Sequence, residues 1–169
     1  MGATLAVLIA TCAPHVHPTT MRALVAVESA GHPFAVSINR PLTWAAQGVL
    51  LPVFEPPRSR AEAERLVASL HAAGYSTSIG LAQINSDHLS GWRLPLAALL
   101  DPCTNLALAE RVLLDCAASY GERPAVLPQL LSCFNSGNAS TGIRNGYVAR
   151  VRAAALRIAT FPVQRSSSP

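Results

Sequence analysis

Aromatic residues are scarce in this chain, at 5% of 169, and only 13% of its residues carry charge. Alanine and leucine supply most of the hydrophobic half, a composition that suits helices better than sheets. There is no arginine- or lysine-rich run and no basic stretch interleaved with aromatics. The net charge of +4 is thus a modest bias toward anionic polymers and does not point to nucleic acid. No apolar stretch reaches the ~18 residues that cross a bilayer, so no transmembrane segment is expected. The four cysteines form no C-x-x-C pair and have no paired histidines at zinc-finger distance, which argues against a structural zinc site. Nothing in the sequence calls for a metal or a cofactor. No internal repeat is visible, and the length favours one domain with one core.

The cysteines that are present, Cys12, Cys103, Cys116 and Cys133, make an even count. Two disulfides in an oxidising compartment fit that count, with four buried free thiols as the alternative. Cys103 and Cys116 lie on one helical pattern, thirteen residues and so about 20 Å apart. A disulfide needs Cα atoms within about 7 Å, so these two do not pair with each other, and two connectivities stay open. The opening stretch MGATLAVLIATC has no basic residue before a short apolar run, unlike an export signal. Its IATC ending is one residue away from a lipoprotein cleavage box. Residues 3–12 are read as the first helix.

Helices are expected from Pro18, started by Thr19 or Thr20 and stopped by Gly31 and Pro33, and from Ser59, with Glu62 three residues on and Gly74 as the stop. Residues 34–58 read as irregular, with short strands at 34–39 and 47–51. The stretch YSTSIGLAQINS follows as an extended turn that becomes helical near Gln83. A long helix begins at DPC, a short one spans AVLPQLLSCFNSGN, and a last one spans GYVARVRAAALRIAT. The fold expected is α+β, mainly α, with a small extended β piece. Residues 1–160 would form the domain, and residues 161–169 a disordered tail.

Glu28 is the most informative residue. It falls at the end of an apolar helix, on the face of Leu24 and Val25. The helix C-terminus disfavours a carboxylate charge, and so does desolvation by those side chains and Val27. Both raise its pKa, as a general acid at neutral pH requires. From local sequence alone, an outward-facing surface glutamate is the simpler explanation. Other polar residues carry plainer readings. His15 and His17 form an H-x-H pair between prolines, a possible metal pair that reads better as loop. His32 and His88 stand alone, Glu110 and Asp115 most simply face solvent, and Trp44 and Trp92 suit either a rim or a sugar-stacking position.

Five motifs in order decide between these readings: CAP at residue 12, ES at 28, GLAQIN at 80, DPC-x-N at 101 and FNSGN at 134. Together they resemble the lysozyme-like lytic transglycosylases, and in particular the small ones that accompany type IV secretion and conjugation systems. The resemblance covers roughly residues 10–155 and implies the goose-type lysozyme and soluble transglycosylase core. Carried over by position, it makes Glu28 the acid/base and Ser37 the serine that orients it. Gly80 and Gln83 line the sugar cleft, the glycine for close backbone approach and the amide to hold a sugar group. Phe134 and Asn135 match the loop motif, and Tyr147 matches the tyrosine that reaches the glutamate. Ala82 replaces a usual Met, and Phe134 a usual Tyr. The resemblance also pairs Cys12 with Cys103, which leaves Cys116 with Cys133. Implied partners are peptidoglycan glycan strands and components of a secretion or conjugation system. The implied location is the periplasm or cell envelope, although no export signal is evident.

The same stretch also resembles the STDYGxxQINS turn of c-type lysozymes, whose aspartate is the second carboxylate. Ser78 stands there in this chain. A two-carboxylate glycosidase needs a base or nucleophile across the scissile bond, so the substrate's own hydroxyl becomes the expected nucleophile. Asp87, just beyond the turn, is the nearest substitute and reads as a surface or helix-start carboxylate. Two alternatives are a hydrolytic muramidase of the same fold and a catalytically weak wall-binding module.

Overall fold

The computed structural model describes residues 4–41 and 52–160. The 47–51 strand, Trp44 and the tail of residues 161–169 lie outside the described residues. Eight helices are described: α1 Leu5–Cys12, α2 Pro18–Glu28, α3 Arg60–Ala72, α4 Leu89–Trp92, α5 Pro102–Tyr120, α6 Leu127–Ser136, α7 Thr141–Arg144 and α8 Tyr147–Thr160. Three strands, β1 Val36–Pro41, β2 Tyr75–Ile79 and β3 Ile84–Asn85, form one antiparallel sheet in that order. The mainly helical α+β expectation holds.

The caps explain most boundaries. Ser59 accepts from the Glu62 N–H at 3.3 Å, and the Glu62 carboxylate reaches back to the Arg58 N–H at 2.7 Å. Asp101 accepts from both the N–H and the hydroxyl of Thr104, each at 2.8 Å, which holds its pKa below the usual value. Helix α2 differs from expectation. Pro18 occupies its first position, and the cap is the His17 ring, which accepts from the Thr19 N–H at 3.2 Å, rather than a threonine.

Helix α2 lies along α8, and α5 packs against both α1 and α6. Met21, Leu24 and Val25 of α2, Leu106 and Ala109 of α5, and Val148, Val151 and Ala154 of α8 share one core. Their three-to-four spacing puts one stripe of each helix inward. Each full burial of a large side chain contributes about 1.5–3 kcal/mol. Ile9 and Cys12 of α1 are buried in the same cluster, so this first helix is part of the packing. Cys12 is bonded to Cys103 with Cα atoms 5.3 Å apart, and Cys116 to Cys133 at 6.0 Å. This is the pairing that the family resemblance implied. The first bridge spans 91 residues, a closure worth about 4–5 kcal/mol in chain-entropy models.

The expected helical start near Gln83 does not form. Residues 84–85 pair with β2, residues 86–88 make a 3-10 turn, and α4 begins only at Leu89. Gln83 itself adopts φ +49°, a left-handed conformation that no helix continues. Glu110 is corrected as well: it is 8% exposed, whereas Asp115 does face solvent. No described helix is long and apolar enough to cross a membrane. Among the described residues, no group of three or more His, Cys, Asp or Glu stands ready to hold a metal.

Candidate active site

Helix α2 ends at Glu28, at the head of a cleft. Ser29 stops the helix and fastens it, its hydroxyl donating to the Leu81 carbonyl at 2.7 Å. The Glu-Ser pair is thereby locked onto the Gly-Leu-Ala-Gln turn fifty residues away. Glu28, Ser37, Asn39, Ser78, Gln83, Phe134 and Asn135 line the inner cleft, of about 320 Å³. The sheet register places Ser37 opposite Ser78, and Ser78 opposite Asn85, across one wall. An outer part of about 670 Å³ shares five of those residues and runs on past His88, Trp92 and Asp115. Trp92 stacks on His88 with ring centroids 5.1 Å apart.

Behind Glu28 stands Tyr147, 2% exposed, at the start of α8. Its phenol donates to a Glu28 carboxylate oxygen at 2.5 Å. Burial pushes the Glu28 pKa up, and the Tyr147 hydrogen bond and the Arg150 cation pull the other way without cancelling that rise. Burial and the neighbouring Glu28 charge push the Tyr147 phenol upward too, so it remains a donor. Tyr147 is set by Asn145, whose side-chain oxygen accepts from the Tyr147 N–H at 2.9 Å. The Asn145 amide in turn donates to Asn135 at 3.0 Å. Asn145 was not singled out in the sequence; the only signal was an Asn-Gly pair just before the last helix.

Three expected roles look different in the structure. The Ser37 hydroxyl donates to the Gln83 side-chain oxygen at 2.8 Å and makes no described bond to Glu28. Gln83 spends its amide on the turn itself, donating to the carbonyls of Ala35 at 3.1 Å and Gly80 at 3.0 Å. Both of its N–H donors are then used, so toward a sugar it is an acceptor at most. Gly80, at φ +81°, faces the interior: a Cβ there would sit 2.4 Å from the Asn105 amide and 2.5 Å from the Leu99 carbonyl. Its smallness serves Asn105, not the cleft.

Asn105 is the residue that sequence reading left without a role. Fully buried on α5, it donates to the carbonyls of Ile79 and Leu99 and accepts from the Ala82 N–H, each at 2.8 Å. A buried amide with these bonds made clamps the turn that faces Glu28. Two signals were available: it is the asparagine of the DPC-x-N motif, and it stands on an otherwise apolar helix face.

Ser78 lines the cleft with its hydroxyl donating to Asn39 at 3.0 Å. Among the described inner-cleft residues, Glu28 is the sole ionisable group. Asp87 sits exposed in the 3-10 turn, accepting from the Ser76 hydroxyl at 2.8 Å, and is not among the cleft's lining residues. Asp115 lines only the outer cleft, paired with Arg111 at 3.3 Å. His15 and His17 hold no metal group together: one contacts Glu110 and the other caps α2.

Comparison with known proteins follows the same outline. The family model described as Transglycosylase SLT domain matches residues 6–154. The type IV secretion system protein virB1 of Brucella abortus (strain 2308) is 33% identical over 167 residues, covering 93% of this chain and 66% of that protein. Protein virB1 of Agrobacterium fabrum is 32% identical over 153 residues, covering 87% and 57% respectively. The chain thus spans slightly under two thirds of the length of the Brucella protein. No solved structure matches it. The chain belongs to the transglycosylase SLT domain family, whose fold is the lysozyme-like one.

Proposed function

We propose that this SLT-family chain is a lytic transglycosylase that cleaves the MurNAc–GlcNAc β-1,4 bond of peptidoglycan, with Glu28 as its sole acid and base. Glu28 in its protonated form gives its proton to the glycosidic oxygen as the bond from that oxygen to the muramoyl C1 breaks. The resulting carboxylate then removes the proton of the muramoyl C6 hydroxyl, and that oxygen bonds to C1. Glu28 regains its proton, a 1,6-anhydro ring closes, and water is not consumed. The observation that supports this most is a raised carboxylic acid facing a cleft whose other inner lining residues are uncharged. With Ser78 rather than a carboxylate across from it, an in-line water would have no ionised base on that wall.

Tyr147 holds the Glu28 carboxyl in one orientation and steadies the anion formed midway. Asn135, tied to Asn145, and the strand edge at Ser37 and Ser78 would bind sugar hydroxyl and acetamido groups. The Brucella relative is named a type IV secretion system protein. By that likeness we place this chain in the periplasm or cell envelope, opening the wall locally for a secretion or conjugation apparatus. The test uses intact sacculi. Wild type should release soluble muropeptides, whereas Glu28→Gln should release none and still co-sediment with the wall. Digestion by Glu28→Gln would overturn the assignment, and a wild type that only binds would make this a wall-binding module.

A further inference from the structure

Arg150 has no place in the mechanism so far. It lies three residues after Tyr147 on α8, so both project from one helix face. Its guanidinium carbon is 5.8 Å from the centre of the Tyr147 ring, within cation–π range. One of its nitrogens donates to the Asn145 carbonyl at 3.3 Å, so the residue that sets Tyr147 also anchors Arg150. Gly146, at φ +78°, lets the chain turn between them.

We propose that Arg150 is a positioning residue of the acid: held on the Tyr147 ring and by the Asn145 carbonyl, its cation steadies the phenol against Glu28 and favours the ionised carboxylate. This rests on the reading of Glu28 as the acid. The groups that act on Glu28 are few. From α8 these are Tyr147 and Arg150; the inner cleft wall, from β1, β2, the Gln83 turn and α6, brings no charged or titratable group among the described residues. Arg150 is therefore the one described cation that offsets the burial of Glu28. A purely buried acid would hold its proton too tightly to release it to a sugar oxygen. A nearby cation strengthens it and stabilises the anion left midway. Arg150 is exposed, so its influence should weaken with salt.

Two measurements test this, one without turnover. First, the Glu28 carboxyl carbon is titrated by carbon-13 NMR in wild type, Arg150→Gln and Arg150→Lys. The expected result is an upward move of the Glu28 midpoint in Arg150→Gln, with most of it reversed in Arg150→Lys. Added salt should move the wild-type midpoint upward and leave Arg150→Gln unmoved. Second, the alkaline limb of kcat/KM on purified glycan strands should follow the same shifts. An unmoved midpoint in a folded Arg150→Gln protein overturns the proposal. So does a Lys variant that behaves as Gln, or a raised KM with an unmoved limb, which would make Arg150 a substrate contact. If the midpoint moves but wild type makes no anhydro product, the reading of function fails and the pairing of Arg150 with Glu28 stands.

Discussion

Glu28 and Glu110 are both glutamates on apolar helices, both largely withdrawn from water, and they end in opposite situations. Glu110 accepts from the backbone N–H of His15 at 2.6 Å, that of Val16 at 3.2 Å and the His15 ring at 3.2 Å. Its lone pairs are spent on fixing the link between α1 and α2. Glu28 accepts, among the described residues, from Tyr147 alone, and its other face opens on the cleft. A saturated carboxylate is a strut. One that is desolvated, held at one oxygen and open to a cleft has a proton to give. The difference lies in the donors each meets, not in residue type or depth.

Amide replacement should break this comparison most sharply. Glu28→Gln should lower turnover by at least ~10⁴-fold, the upper end of what acid–base catalysis contributes, and leave the fold intact by circular dichroism. Survival of a tenth of the activity would sink the role. At the other carboxylate the effect moves from rate to stability. Glu110→Ala strands two backbone N–H groups and should cost about 3 kcal/mol, read as a fall in Tm of about 6–12 °C. Activity per folded molecule should stay as in wild type.

The contrast also shows what a sequence can reveal. Features set by near neighbours were legible: the Ser59 cap, the start of the long helix at DPC, the helical stripes, and Glu28 at the end of α2. The ordered motifs implied the disulfide partners. Features set by distant partners were not. Glu110 read as a solvent residue because its donors lie 94 and 95 residues away. Gln83 does line the cleft, but its bonds run to Ser37 and Ala35, 46 and 48 residues away, and Gly80 faces inward onto Asn105, 25 residues away. No periodicity encodes such a clamp, and the left-handed Gln83 defeated the helix expected there.

Tyr147→Phe sharpens the comparison at smaller scale. Losing one hydrogen bond to a charged group should cost about tenfold in kcat/KM. Since that bond pulls the Glu28 pKa down, the alkaline limb should move to higher pH; an unmoved limb would mean that the phenol does not act on the acid. The smallest effect is on stability. The Glu28 pKa is raised on folding, so its favourable contribution is complete below its ordinary value of 4.5. It is lost as pH rises through the folded value. Glu28→Gln should therefore gain stability over wild type at neutral pH, with the gain vanishing below 4.5 in paired urea melts. A constant difference across pH would contradict this.

The central claim is that the substrate's own hydroxyl, not water, attacks C1. Digesting purified glycan strands in heavy-oxygen water and weighing the muramoyl ends by mass spectrometry tests it directly. The account predicts ends lighter by one water than reducing ends, with no heavy oxygen incorporated. Reducing muramoyl ends carrying the heavy oxygen would contradict it and make the protein a hydrolase.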